Sequence, residues 1–239
     1  MARRGTVSAL LASGVVAMAA VGGAGGYGIG LLTTAEQSAA ATGPAAPLGG
    51  GGSTSPGPSG TPSPTPTPPK KVVPDNSKPL RVDDLRYKTR DFTAINAVRS
   101  DVTLRVPSNW TFTHPDPPTV GRYTDPTAKR WLRIEAGFTI RRAPAESMAA
   151  KMQDLQSVPA NQLLSIKSHT VDPDTQSATL VYTYVPDNST RYVVVQWVAN
   201  SAGLCTFEIA ATGLPQDRLA LEDILQHAAD SAVRTDSPL

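Results

Sequence analysis

Residues 49 to 71 read GGGGSTSPGPSGTPSPTPTPPKK, 23 consecutive positions without one Val, Ile, Leu, Met, Phe, Tyr or Trp. A run of that kind cannot bury enough apolar surface to offset the entropy lost on ordering it, so it builds no core and separates what lies on either side. Before it stands an uncharged apolar stretch. After it, from about residue 80, hydrophobic residues recur at strand and helix periods. The chain of 239 residues therefore reads as three parts: 1–35, a cytoplasmic N-terminus and apolar anchor; 36–79, a spacer of Gly, Ser, Pro and Thr without fixed structure; and 80–236, a globular domain. The last part has 157 residues, enough to bury roughly two thirds of its unfolded surface without staples. Its single cysteine, Cys205, has no intramolecular partner for a disulfide.

No charged residue stands between Arg4 and Glu36, and residues 6–32, TVSALLASGVVAMAAVGGAGGYGIGLL, are apolar or small. That is long enough to cross a bilayer, which takes about 20 residues. The arginines on its N-terminal side predict a cytoplasmic N-terminus, a single pass through the cytoplasmic membrane and an extracytoplasmic C-terminal domain. A cleaved signal peptide is the competing reading: a short basic start, an apolar region from Val7 to Ala20, and small-residue cleavage sites at Ala17-Met18-Ala19 or Ala39-Ala40-Ala41. The glycines at 22–30 weaken a helix and favour that alternative. No cysteine follows the apolar run, so lipid attachment at a bacterial lipoprotein site is excluded. Arg3-Arg4 lacks the usual flanks of a twin-arginine signal.

The spacer combines a flexible Gly/Ser half with an SPTPTPP half that favours polyproline II, so residues 44–79 reach on the order of 80 to 100 Å. Its alternating Thr and Pro also fit O-linked sugars, as in mucin-like stalks; an unmodified linker is the other reading. Net charge is +2, and from Lys70 onward 20 basic residues meet 19 acidic ones. Seven basic and three acidic residues in 70–90 form the one local excess, and no aromatics interleave them as a nucleic-acid groove requires. A nucleic-acid partner is not expected.

Within the domain, 85–95 (LRYKTRDFTAI) and 102–107 (VTLRVP) read as strands joined through INAVRSD. In 131–140, WLRIEAGFTI, the residues Leu132, Ile134, Ala136, Phe138 and Ile140 alternate with Arg133 and Glu135, which predicts a strand with one wet side. Pro144 suits a helix's first turn, and Met148, Met152 and Leu155 form an apolar stripe. Strands are then expected at 163–171, 177–185, 191–199 and 204–211, joined by DPDTQ, PDNST and NSAG turns that favour antiparallel neighbours. RYVVVQWVA, residues 191–199, is apolar on both faces and belongs inside the sheet. A closing helix over 216–233 sets Leu221, Ile224, Leu225, Ala228 and Ala232 on one side. The expected class is α+β, an antiparallel sheet covered by helices in an α/β/α sandwich, preceded by one transmembrane helix and the disordered linker.

The strand running into Val106-Pro107-Ser108-Asn109-Trp110, the middle strand and helix, the paired long strands and the closing helix resemble the PsbP-like fold. More narrowly, residues 85–234 resemble the LpqN-type exported domains that actinobacteria carry on membrane-anchored proteins and lipoproteins. The resemblance implies an extracytoplasmic address and a binding or accessory role, and it carries no catalytic residue. The chain departs from the lipoprotein members in lacking their anchoring cysteine.

Chemistry-bearing residues are sparse. His114 lies in the THPDPP loop, His169 in a strand and His227 on the closing helix, none at metal-ligand spacing from another histidine or cysteine. His169 has Ser168 before it and Asp172 and Asp174 after it, but no G-x-S-x-G occurs and Asp172-Pro173-Asp174 reads as a turn. Cys205 alternates with Phe207 and Ile209 and points inward. The Gly-x-Gly spacings at 22–30 sit in the apolar stretch, not after a strand. No catalytic, cofactor-binding or metal site is expected. Trp110, Trp131, Trp197, Tyr182, Tyr184 and Tyr192 are read mostly as packing, with a ligand groove near Trp110 and the loop from His114 to Pro118 as the place to look for recognition. The expected function is a non-enzymatic, membrane-anchored accessory module of the cell envelope that binds a protein or envelope ligand. The alternatives are an envelope hydrolase built on His169 or His114, and a secreted structural protein.

Overall fold

Apolar residues on both faces of Arg191–Ala199 require a cover on each side, and in the computed structural model of the chain both covers are present. The structure describes residues 71–113 and 118–239. The apolar segment 6–32, the spacer up to residue 70 and residues 114–117 lie outside them. In chain order the elements are β1 (Tyr87–Ile95), β2 (Arg99–Pro107), β3 (Thr111–Thr113), β4 (Val120–Thr124), β5 (Trp131–Glu135), α1 (Pro144–Leu155), β6 (Ser165–Asp172), β7 (Ser177–Tyr184), β8 (Arg191–Ala199), β9 (Cys205–Gly213), α2 (Arg218–Ser231) and β10 (Val233–Ser237). Among the described residues no helix is long and apolar enough to cross a membrane.

Seven strands form an antiparallel sheet in the order β3-β4-β5-β9-β8-β7-β6, and a second sheet pairs β1 and β10 on either side of β2. The β8 strand lies between β9 and β7, as its two apolar faces demand. Val194 and Tyr192 join a large core with Leu221, Ile224 and Leu225 of α2, Leu104 of β2 and Ile209 of β9. Val193, Val195 and Trp197, on the opposite face, join a smaller core with Met148 and Leu155 of α1. The class is α+β, with α2 and the small sheet on one side of the large sheet and α1 on the other. Pro144 opens α1 at its first turn, where its missing N–H leaves no helical bond unmade.

Several expectations are corrected. The domain holds two sheets instead of one. Residues Arg99–Asp101, read as part of a connection, belong to β2. The strand expected to run through residue 140 stops at Glu135, because Gly137 adopts φ +80, and a Cβ there would stand 3.3 Å from the Ala94 and Asn96 backbone. Its wet side is not wet: Arg133 is 7% exposed and Glu135 3%. The closing helix ends at Ser231, and the polar residues after it form β10, in which Arg234 donates to the Phe138 and Thr206 carbonyls at 2.6 and 2.8 Å.

Of the segment read as spacer, residues 73–79 lie against the domain. The Val73 N–H donates to the Asn188 carbonyl at 2.7 Å, and Lys129 Nζ lies 2.8 Å from Asp75. Behind them Arg130, 4% exposed, grips the fully buried Asp217 through Nε and Nη2 at 2.7 and 3.0 Å. Arg130 also donates to the Lys78 carbonyl, and Asp217 accepts the Leu80 and Leu214 N–H groups. One carboxylate thus fastens the chain's entry to the start of α2.

Candidate functional site

The strand registers assign side chains to faces. On the face that carries α1, β4 presents Arg122, β5 Trp131, Arg133 and Glu135, β9 Glu208, Ala210 and Thr212, β8 Arg191, Val193 and Trp197, and β7 Tyr182 and Tyr184. Helix α1 packs on β7 and β8. Under and beside it lie two connected groups of polar residues.

The inner group is buried. Arg133 donates through Nη1 to Glu208 at 2.7 Å and through Nη2 to Glu135. Lys151, on the inward side of α1, approaches Glu208 to 4.0 Å, and the Trp197 indole N–H donates to it at 3.1 Å. Burial pushes the Glu135 carboxyl up to about 7; the Arg133 charge opposes that shift and the Glu208 charge adds to it. Burial also raises Glu208, but Lys151 first and then Arg133 outweigh it and hold this carboxyl below its ordinary range. Two cations and two carboxylates share one dry site, and each is expensive to leave unpaired. Arg133 keeps one buried donor, Nε, without a partner among the described residues.

The outer group reaches solvent. Trp131 is half-buried at the β4–β5 end of the face, with the Arg122 guanidinium 5.8 Å and the Arg191 guanidinium 5.7 Å from its ring centroid. The strands β4 and β8 stand three strand spacings apart, about 14 Å, so each arginine must lean toward the indole to come that close. Burial pushes the Tyr184 hydroxyl up to about 12, and Arg191, Asp187 and Arg122 all act on it. Arg122 pairs across the strands with Arg133, a like charge. Burial, then Arg133, lowers its pKa, and its buried Nε has no partner among the described residues.

The residues singled out from sequence are scattered. Trp110, 5% exposed, belongs to the large core at the end of β2, and His114 lies outside the described residues. His169 is exposed on β6; Asp172 accepts the Asp174 and Thr175 N–H groups at 2.9 and 3.3 Å, a turn and not a relay. His227 stacks on Tyr87 at 3.9 Å, with Nε2 3.9 Å from Asp223. Cys205 is buried and burial pushes its thiol up to about 12, so it is no nucleophile. Trp197, Tyr182, Tyr184 and Tyr192 are buried, and of the six aromatics Trp131 alone is not. Sequence reasoning missed Arg122, Arg191 and Lys151 as site residues. Glu208, a carboxylate among apolar neighbours in LCTFEIAA, was the signal that this face holds buried charge.

No known family profile matches the chain, and no curated protein does. Among solved structures it is similar to the Ran-binding protein Mog1p of Saccharomyces cerevisiae, at 12% identity over 61% of this chain and 96% of that one, with a TM-score of 0.42. It is also similar to LpqN of Mycobacterium tuberculosis, involved in cell envelope biogenesis, at 15% identity over 64% of this chain and 94% of that one, with a TM-score of 0.35.

Proposed function

We propose that the chain is a non-enzymatic binding module of the bacterial cell envelope, its PsbP-like, LpqN-type domain held outside the cytoplasmic membrane by the apolar segment 6–32 and the spacer. The observation that carries the binding role is Trp131, half-buried between two arginines at one end of a sheet face whose other end is covered by α1. The other two tryptophans of the domain, Trp110 and Trp197, are buried. An aromatic and two arginines at a surface are the residue types that dominate recognition energies. The uncharged run with arginines on its N-terminal side supports the tether, and the resemblance of residues 85–234 to exported domains supports the address.

Photo-crosslinking in intact cells tests the reading. A photoreactive residue in place of Trp131 is expected to capture an envelope component, and the same residue in place of the exposed Gln226 on α2 is expected to capture none. Equal labelling from both positions, or labelling of cytoplasmic proteins from Trp131, contradicts it.

A further inference from the structure

The sheet face that carries α1 holds four cations, Arg122, Arg133, Lys151 and Arg191, against the two buried carboxylates Glu135 and Glu208. Both carboxylates are taken: Glu135 by Arg133, and Glu208 by Arg133, Lys151 and the Trp197 indole. Two positive charges are left over, and they are Arg122 and Arg191. Among the described residues neither forms an ion pair; Arg191 donates one N–H to the Lys129 carbonyl, and Asp187 stands exposed on the nearby turn. Arg122 is half-buried, directly opposite Arg133 in the strand ladder, and both arginines have a buried Nε without a partner among the described residues. Arg133 is nine-tenths buried, so its orphan donor costs free energy that a water-exposed one does not. Arg122, a cation without a carboxylate, set beside a like charge and with a buried donor unfilled, is in an unfavourable arrangement that an anion at the same place relieves.

We propose that Arg122, Arg191 and Trp131 form a binding site for a phosphate monoester. This deepens the binding role proposed above by naming the chemistry of the ligand, and it rests on that reading. A guanidinium is a planar fork that meets phosphate oxygens two at a time, and a monoester carries close to two negative charges at neutral pH, matching the two guanidinium charges of Arg122 and Arg191. Each guanidinium rests against the same indole, so less side-chain freedom is lost on binding than with free arginines. The same phosphate chemistry reaches an envelope protein as free phosphate, as a phosphorylated saccharide or as a lipid headgroup.

Titration calorimetry of the full-length protein in neutral detergent tests the assignment with three probes: inorganic phosphate, glucose 6-phosphate, and nanodiscs of phosphatidylcholine with or without phosphatidic acid. Saturable binding below about 1 mM to at least one phosphate probe is expected, weakened tenfold or more in Arg122→Gln and, separately, in Arg191→Gln. Trp131→Leu is expected to weaken it less, because both arginines remain. Thermal melts of each variant show whether the fold survives, and Arg191→Gln, which leaves the Arg122–Arg133 pair in place, provides the comparison if Arg122→Gln does not fold. Preference for phosphate, for the sugar phosphate or for phosphatidic acid identifies the source. Absence of saturation with all three probes overturns the proposal, as does equal affinity in folded wild-type and Arg191→Gln protein, or acetate binding as tightly as phosphate. Any of these leaves the crosslinking test of the envelope role intact.

Discussion

At the scale of residues, the decisive group is the buried set of Arg133, Glu135, Lys151 and Glu208. Glu135 has its folded pKa raised from 4.5 to about 7, so between those values the unfolded chain has already released a proton that the folded one keeps. Stability therefore falls as pH rises from about 4.5 to 7, by on the order of 1 to 3 kcal/mol, and levels off above. Glu208 has the opposite sign: its lowered pKa supplies stability above the ordinary carboxylate range and loses it as pH drops through the folded value. Denaturant unfolding across pH 4 to 8 should show that decline, and Glu135→Gln should flatten it; an unchanged slope in the variant contradicts the assignment. Arg133→Met strands Glu135 and leaves Glu208 with Lys151 and the Trp197 indole, and should cost about 3 to 5 kcal/mol, whereas replacing all four residues by apolar ones of similar volume should cost far less. Equal losses in the single and the fourfold variant contradict the view that pairing, and not packing, holds this group. The sequence placed Arg133 and Glu135 on one strand face correctly and their solvation incorrectly. Alternation tells which residues share a face; it does not tell whether a helix from 9 residues downstream will cover it.

Elements were legible where one physical signal dominated. Strand β8 coincides with 191–199 because its apolar run on both faces admits few other places, and α1 was marked by Pro144 and its apolar stripe. Strands β3, β4 and β10 were not, since three to five residues such as VGRYT or VRTDS carry too few apolar positions to show a period, and β10 pairs with a strand distant in sequence. The entry lock was equally hidden: Asp217 and Arg130 are 87 residues apart, and nothing local marks them as partners. Asp217→Ala leaves Arg130 buried with Asp125 as its remaining carboxylate and frees the Leu80 and Leu214 N–H groups, at a cost of about 3 to 5 kcal/mol. Limited proteolysis of that variant should cut within residues 73–80 at protease doses that leave the parent intact there. Identical cutting patterns and melting temperatures contradict the lock.

For the whole molecule, the α+β class and helices on both faces of an antiparallel sheet followed from the order of the elements. The second sheet did not, because β10 reaches β2 across more than 120 residues of chain. The proposed place of action is read from the first 70 residues, an apolar span and a spacer, ahead of a domain proposed to bind through Trp131, Arg122 and Arg191. The proposed envelope role requires the domain to lie outside the cytoplasmic membrane. Paired reporters fused after Leu239 measure this directly. Alkaline phosphatase, which folds after export, should be active, and a green fluorescent protein that matures only in the cytoplasm should stay dark; a bright fluorescent fusion with an inactive phosphatase contradicts the account.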